Sequence, residues 1–131
     1  MRFEIAAAYA AGALLPLAEI ARRRTDFSSI TAYADDLIIG ACLLVAARAA
    51  STRRPVGDAL LVAAWGAVCG GLYYSFFGHL EHGPGTDISG LANSTVVALK
   101  GALYVVALAA LALSIRSARA SFGPKRGASS S

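Results

Sequence analysis

The sequence predicts an all-α protein, an integral membrane bundle of four transmembrane helices. Three observations predict it. Apolar residues make up 56% of the 131-residue chain and the mean hydropathy is +0.58, above the usual composition of a soluble domain. That excess is gathered into long runs rather than spread along amphipathic stripes, the pattern of helices that have lipid as solvent. Basic residues close the runs, where they meet headgroups and set topology.

The length is that of one domain. Residues 1–117 are read as the four-helix transmembrane domain and 118–131 as a disordered basic and serine-rich tail.

The first span is placed at 3–21, ending before Arg22-Arg23-Arg24. Pro16 falls inside it and is expected to kink the helix, which is tolerated when neighbours cover the carbonyl it frees. Glu4, Glu19 and the arginine triplet do not suit a cleaved signal peptide. The second span is placed at 33–50. Its strongly apolar part, Leu37 to Ala47, is too short for about 30 Å of hydrocarbon. A full crossing therefore draws Asp35 and Asp36 into the first turns. A turn over Arg53 to Asp58 leads to the third span, 59–77. There Gly66 and Gly70 have the spacing that admits a close helix neighbour, so this face is expected to pack on another helix. Gly78 to Gly90 reads as a loop carrying His79, Glu81, His82 and Asp87. The fourth span, 93–115, is interrupted by Lys100. Cys42 and Cys69 fall inside apolar runs without a CxxC pattern and are read as small buried side chains.

The formal net charge is +4 and the pI about 9.4. The basic residues sit at run ends and form no patch with interleaved aromatics, so the expected partners are membrane lipids and not nucleic acid. Four spans put both termini on one side, with Arg2, Arg48, Arg53, Arg54, Arg116, Arg119, Lys125 and Arg126. The positive-inside rule then places the termini in the cytoplasm of a multi-pass cell-membrane protein, with Arg22-Arg23-Arg24 as the opposing group.

The same alternation gathers the awkward polar residues at one end. Glu19, Asp35, Asp36, Tyr73, Tyr74, His79, Glu81, His82, Asn93 and Lys100 all fall there, and the other end is expected to be apolar with a basic rim. Asn93, Lys100 and Tyr104 share one helix face; so do Ser75, His79 and His82 if the third helix runs that far. A charge left in hydrocarbon costs about 2.5–3.5 kcal/mol, so such groups turn inward and pair. Lys100 is expected either to snorkel to the headgroups or to pair with Asp35, Asp36 or Glu19. Glu19 also has Arg22 and Arg23 at i+3 and i+4. Asp35 and Asp36 suit a helix N-terminus, or one of them serves as an acid or base. Neighbouring residues differ by about 100° on a helix, so both cannot face one cavity.

His79, Glu81 and His82 have metal-ligand types but match no metal signature, so neither a metal nor another cofactor is expected. No Gly-x-Ser-x-Gly motif and no phosphate loop is present. The reading that uses the cluster most fully is a cofactor-independent acid/base enzyme: an isomerase, cyclase, lyase or epoxide-opening activity on a lipophilic small molecule. Asp35, Asp36, His79 and Glu81 are its candidate catalytic groups. Glu19, Tyr73, Tyr74, Asn93 and Lys100 are its candidate pocket, with Trp65, Phe76 and Phe77 as further walls. The competing readings are an accessory subunit of a membrane complex and an oligomeric proton-coupled transporter. The transporter fits less well, because a pathway should place polar groups in both halves.

Overall fold

A computed structural model describes residues 2–23, 30–54, 56–81, 85 and 92–123. These form four helices: α1 Phe3–Arg23, α2 Ile30–Ser51, α3 Gly57–Glu81 and α4 Asn93–Phe122. Contacts fix an antiparallel order. Gly12 of α1 meets Gly40 of α2, while Tyr9 lies 3.3 Å from the Ser51 hydroxyl at the far end of α2. Gly71 of α3 faces Ile39 of α2, and Gly57 packs on Ala49 and Ala50. Asp58 and Ser75 of α3 meet Ser121 and Lys100 of α4, respectively. The chain thus runs up and down through an all-α bundle, closed by a contact between α1 and α4.

Three helices are long and apolar enough to cross a membrane: Phe3–Ala21, Gly57–Gly78 and Asn93–Phe122. Apart from the carbonyl that Pro16 frees in α1, such helices satisfy their interior backbone groups internally, which is what a bilayer requires. The remaining helix, α2, is 22 residues long and lies between α1 and α3.

A close approach of α1 and α2 follows from Pro16. Proline has no N–H to give the carbonyl four residues back, which is that of Gly12. That carbonyl faces Gly40, where an added Cβ would lie only 2.7 Å from it and 2.6 Å from the Pro16 ring. A backbone without side chains therefore covers the freed oxygen, at a distance only two glycines allow. The expected close pair Gly66 and Gly70 does not do this. Both are exposed, and nothing lies within 4 Å of where their Cβ atoms would be. Their face of α3 is turned away from the other three helices.

α2 ends in a Schellman cap. The Arg54 N–H donates to the Ala49 carbonyl at 3.1 Å and the Arg53 N–H to Ala50 at 3.2 Å. Arg53 takes the left-handed position at φ 54°, a place usually held by glycine. α3 and α4 both outrun their expected ends. Gly78 to Glu81 are helical, since the chain meets its first strong breakers only at Gly83-Pro84. Residues 118–122, read as tail, extend α4, and Ser117 and Ser121 tie that extension to α1 and α3.

The packed core is concentrated in the half toward the start of α1 and reaches the middle of the bundle. Ile5 and Ala8 of α1, Leu43, Ala46 and Ala47 of α2, Leu61, Ala64, Trp65, Val68 and Cys69 of α3, and Ala107 and Ala110 of α4 supply its buried side chains. In the opposite half Val96 is the buried apolar side chain among the described residues. Cys69 belongs to the core, but Cys42 lies exposed on α2, against expectation. It stands beside the inward-facing Leu43, about 100° round the helix.

Candidate functional site

The loosely packed half turns polar side chains inward from all four helices. Glu19 of α1 is half-buried. On α2 the half-buried groups are Tyr33, Asp36 and Ile39, spaced by three. On α3 they are Ser75 and Phe76, and on α4 Asn93, Val97, Lys100 and Tyr104. The α4 set has the spacing of one helix face, as its sequence pattern predicts. Backbone at the head of α4 is held by the Asn93 N–H donating to the Gly85 carbonyl at 2.8 Å.

Two contacts join α3 and α4 here. The Lys100 ammonium donates to the Ser75 hydroxyl. One turn on, Phe76 stacks on Tyr104, with ring centroids 6.4 Å apart and planes at 10°. Phe76 also occupies the space over Gly101, where a Cβ would meet its ring at 3.1 Å. Lysine, hydroxyl and phenol therefore line one seam, backed by an aromatic ring.

The structure sorts the expected residues by the direction they face. Asp36 turns inward and Asp35 outward, as the 100° step between neighbours requires. Tyr73 and Tyr74 were expected to wall the cavity, but they are 56% and 83% exposed. Tyr73 instead packs on Phe77 at 4.8 Å, on the outer surface. Phe76 and Tyr104 hold the interior position. Glu81 is exposed on the last residue of α3. The backbone of His79 is helical; its side chain and His82 lie outside the described residues. Trp65 is far from this seam, buried in the core with its indole N–H donating to the Glu4 carbonyl at 3.2 Å. Among the described residues no three His, Cys, Asp or Glu side chains group to hold a metal ion.

The opposite end is not merely apolar with a basic rim. Glu4 is 4% exposed, and it is the ionisable residue most deeply buried among those described. Arg2 donates to it at 3.1 Å, and Ser117 of α4 at 2.9 Å. Arg2 also pairs with Asp58, which accepts from Ser121 at 2.7 Å. The hydrogen bond to Asp58 raises the Arg2 pKa further above its ordinary value, so this guanidinium is permanently charged. The network fastens the start of α1 to α3 and α4. Its trace in the sequence is partial: Glu4, Ala8 and Ala11 share a face of α1, and Ser117 and Ser121 one of α4, but nothing in the sequence pairs the two faces.

Between the two polar ends lie Leu43, Leu61, Trp65 and Ala110, each no more than 1% exposed. This layer separates them with close-packed side chains.

Comparison of the chain with protein-family models, with curated proteins and with solved structures finds no match.

Proposed function

We propose that this chain is a multi-pass membrane protein, α2 crossing beside the other three helices, that performs cofactor-independent acid/base chemistry on a lipophilic small molecule. One observation carries the reading. Ionisable and hydroxyl side chains from four helices turn inward in the half of the bundle where little apolar packing rewards it. The fold is fastened elsewhere, by the core and by the Glu4 network. Polar groups held at a cost in one place are the usual mark of a functional site in a membrane protein.

In this reading Asp36 gives or takes the proton. Lys100, held by Ser75, stabilises negative charge that develops on the substrate. The rings of Phe76 and Tyr104 bound the apolar part of the substrate. Asp35 and Glu81, both exposed, play no part in the proton transfer. The reactions that suit such a set are isomerisation, cyclisation and epoxide opening. The positive-inside rule puts the termini, and the Glu4 end, in the cytoplasm.

The test is complementation of a deletion in the native host. Asp36→Asn and Lys100→Met should each abolish rescue while the protein still accumulates in the membrane; Asp35→Asn should rescue. Full rescue by both inward variants would end the catalytic reading.

A second reading is an accessory subunit, and the uncovered Gly66–Gly70 face favours it. A partner helix on that face would make Gly66→Leu and Gly70→Leu the damaging variants and Asp36→Asn a tolerated one. The transporter reading is disfavoured by the layer of buried Leu43, Leu61, Trp65 and Ala110 between the two polar ends.

A further inference from the structure

Beside the turn that joins α2 to α3 lies an open groove of about 440 Å³. Arg48 and Arg54 stand at its head, and Leu44, Val45 and Leu60 form its apolar wall. The three apolar residues are 38%, 63% and 40% exposed. The candidate α3 span begins at Gly57; on the proposed reading, in which α2 crosses beside it, this turn stands at the membrane boundary and the wall in hydrocarbon. Arg48, in the last turn of α2, can run its stem along that wall with its guanidinium at the boundary.

Among the described residues no carboxylate lines this groove, and Arg48 and Arg54 make no ion pair. The neighbouring cavity, which Arg53 and Arg54 also border, differs: it contains Asp58, and its Arg2 is already committed to Glu4 and Asp58. Arg53, next in the same turn, is kept at a left-handed φ of 54°. A third arginine is thus tolerated where glycine would relieve the backbone. An end-of-helix dipole alone would be met by Arg48; it does not account for an apolar slot beneath the cations.

We infer that this groove is a binding site for an anionic phospholipid, with its phosphate on Arg48 and Arg54 and an acyl chain along Leu44, Val45 and Leu60. Guanidinium groups match phosphate in geometry as well as charge. The slot below them is lined by aliphatic side chains, the surface that the first methylenes of a chain would cover. An inorganic phosphate would use only the head of the site and would leave the apolar wall without a role.

The inference is tested on the full chain, purified in detergent and stripped of lipid. Retained lipid is counted by native mass spectrometry after adding equal amounts of dioleoylphosphatidylglycerol and dioleoylphosphatidylcholine. The wild type should prefer the anionic lipid, and that preference should fall about fivefold for each of Arg48→Gln and Arg54→Gln. Arg116→Gln and Arg119→Gln, each removing the same single charge from the end of α4, should leave the preference unchanged. Arg48→Lys with Arg54→Lys should retain part of it, which guards against a glutamine variant that fails to fold. The site is refuted if the wild type shows no preference, or if the α4 control loses as much as the groove variants. Binding of added inorganic phosphate without any lipid preference would equally overturn it.

Discussion

Ser117 on α4 donates a 2.9 Å hydrogen bond to the same Glu4 oxygen that Arg2 contacts at 3.1 Å. This ties the first turn of α1 to the last turns of α4 across a carboxylate that is 4% exposed. The bond is a structural fastening, and it has a measurable consequence. Glu4→Ala leaves the Ser117 hydroxyl and part of Arg2 without an acceptor, and should cost about 1–3 kcal/mol. Glu4→Gln keeps an acceptor for Ser117 and should cost less. Unfolding in detergent, followed by Trp65 fluorescence, measures both. Equal stability of Glu4→Ala and wild type would show that the contact fastens nothing.

Glycine placement gives a second, contrasting prediction. At Gly40 an added Cβ meets Pro16 at 2.6 Å and the Gly12 carbonyl at 2.7 Å. Gly40→Ala must push α1 from α2 and should cost about 1–3 kcal/mol. Gly66→Ala and Gly70→Ala meet open space. They should keep the unfolding free energy of the monomer or raise it, by up to about 0.5–1 kcal/mol each. A loss at Gly66 as large as that at Gly40 would mean a second chain covers the face.

The turn after α2 supplies a stabilising change. Arg53 occupies the left-handed position of the Schellman cap at φ 54°. A Cβ there costs about 1–2 kcal/mol, partly offset by the greater freedom of glycine in the unfolded chain. Arg53→Gly should therefore raise stability by about 0.5–1 kcal/mol, read from the same unfolding curves. A drop would show that the Arg53 side chain supplies contacts that outweigh the strain.

These predictions also mark where the sequence could be read. The four helices and the inward face of α4 were legible, because Asn93, Lys100 and Tyr104 repeat at helical spacing. The choice between Asp35 and Asp36 was not. α2 and α3 carry apolar residues on every side, so their pattern has no direction and says nothing about rotation in the bundle. The same lack of direction hid the outward turn of Tyr73, Tyr74 and the Gly66–Gly70 face. Glu4 was missed for another reason. It begins a helix, where a carboxylate is ordinarily solvated and suits the dipole. Its burial depends on Ser117, 113 residues away, and only the closed bundle brings that partner near.

Lys100 separates stability from function. It is half-buried in α4 and donates to Ser75. An ammonium within a membrane helix costs about 2.5–3.5 kcal/mol on insertion scales, a penalty its partners offset only by being held in place. Lys100→Met fills similar space without the charge. It should keep or raise the unfolding midpoint in detergent, as apolar replacements of buried charges often do. If Lys100 serves the chemistry proposed for this end, the same variant fails to rescue a deletion. The pairing of intact stability with lost rescue is the signature of a residue retained for function. A variant that loses both would instead make Lys100 a structural strut between α3 and α4, and the proton chemistry would have to be sought without it.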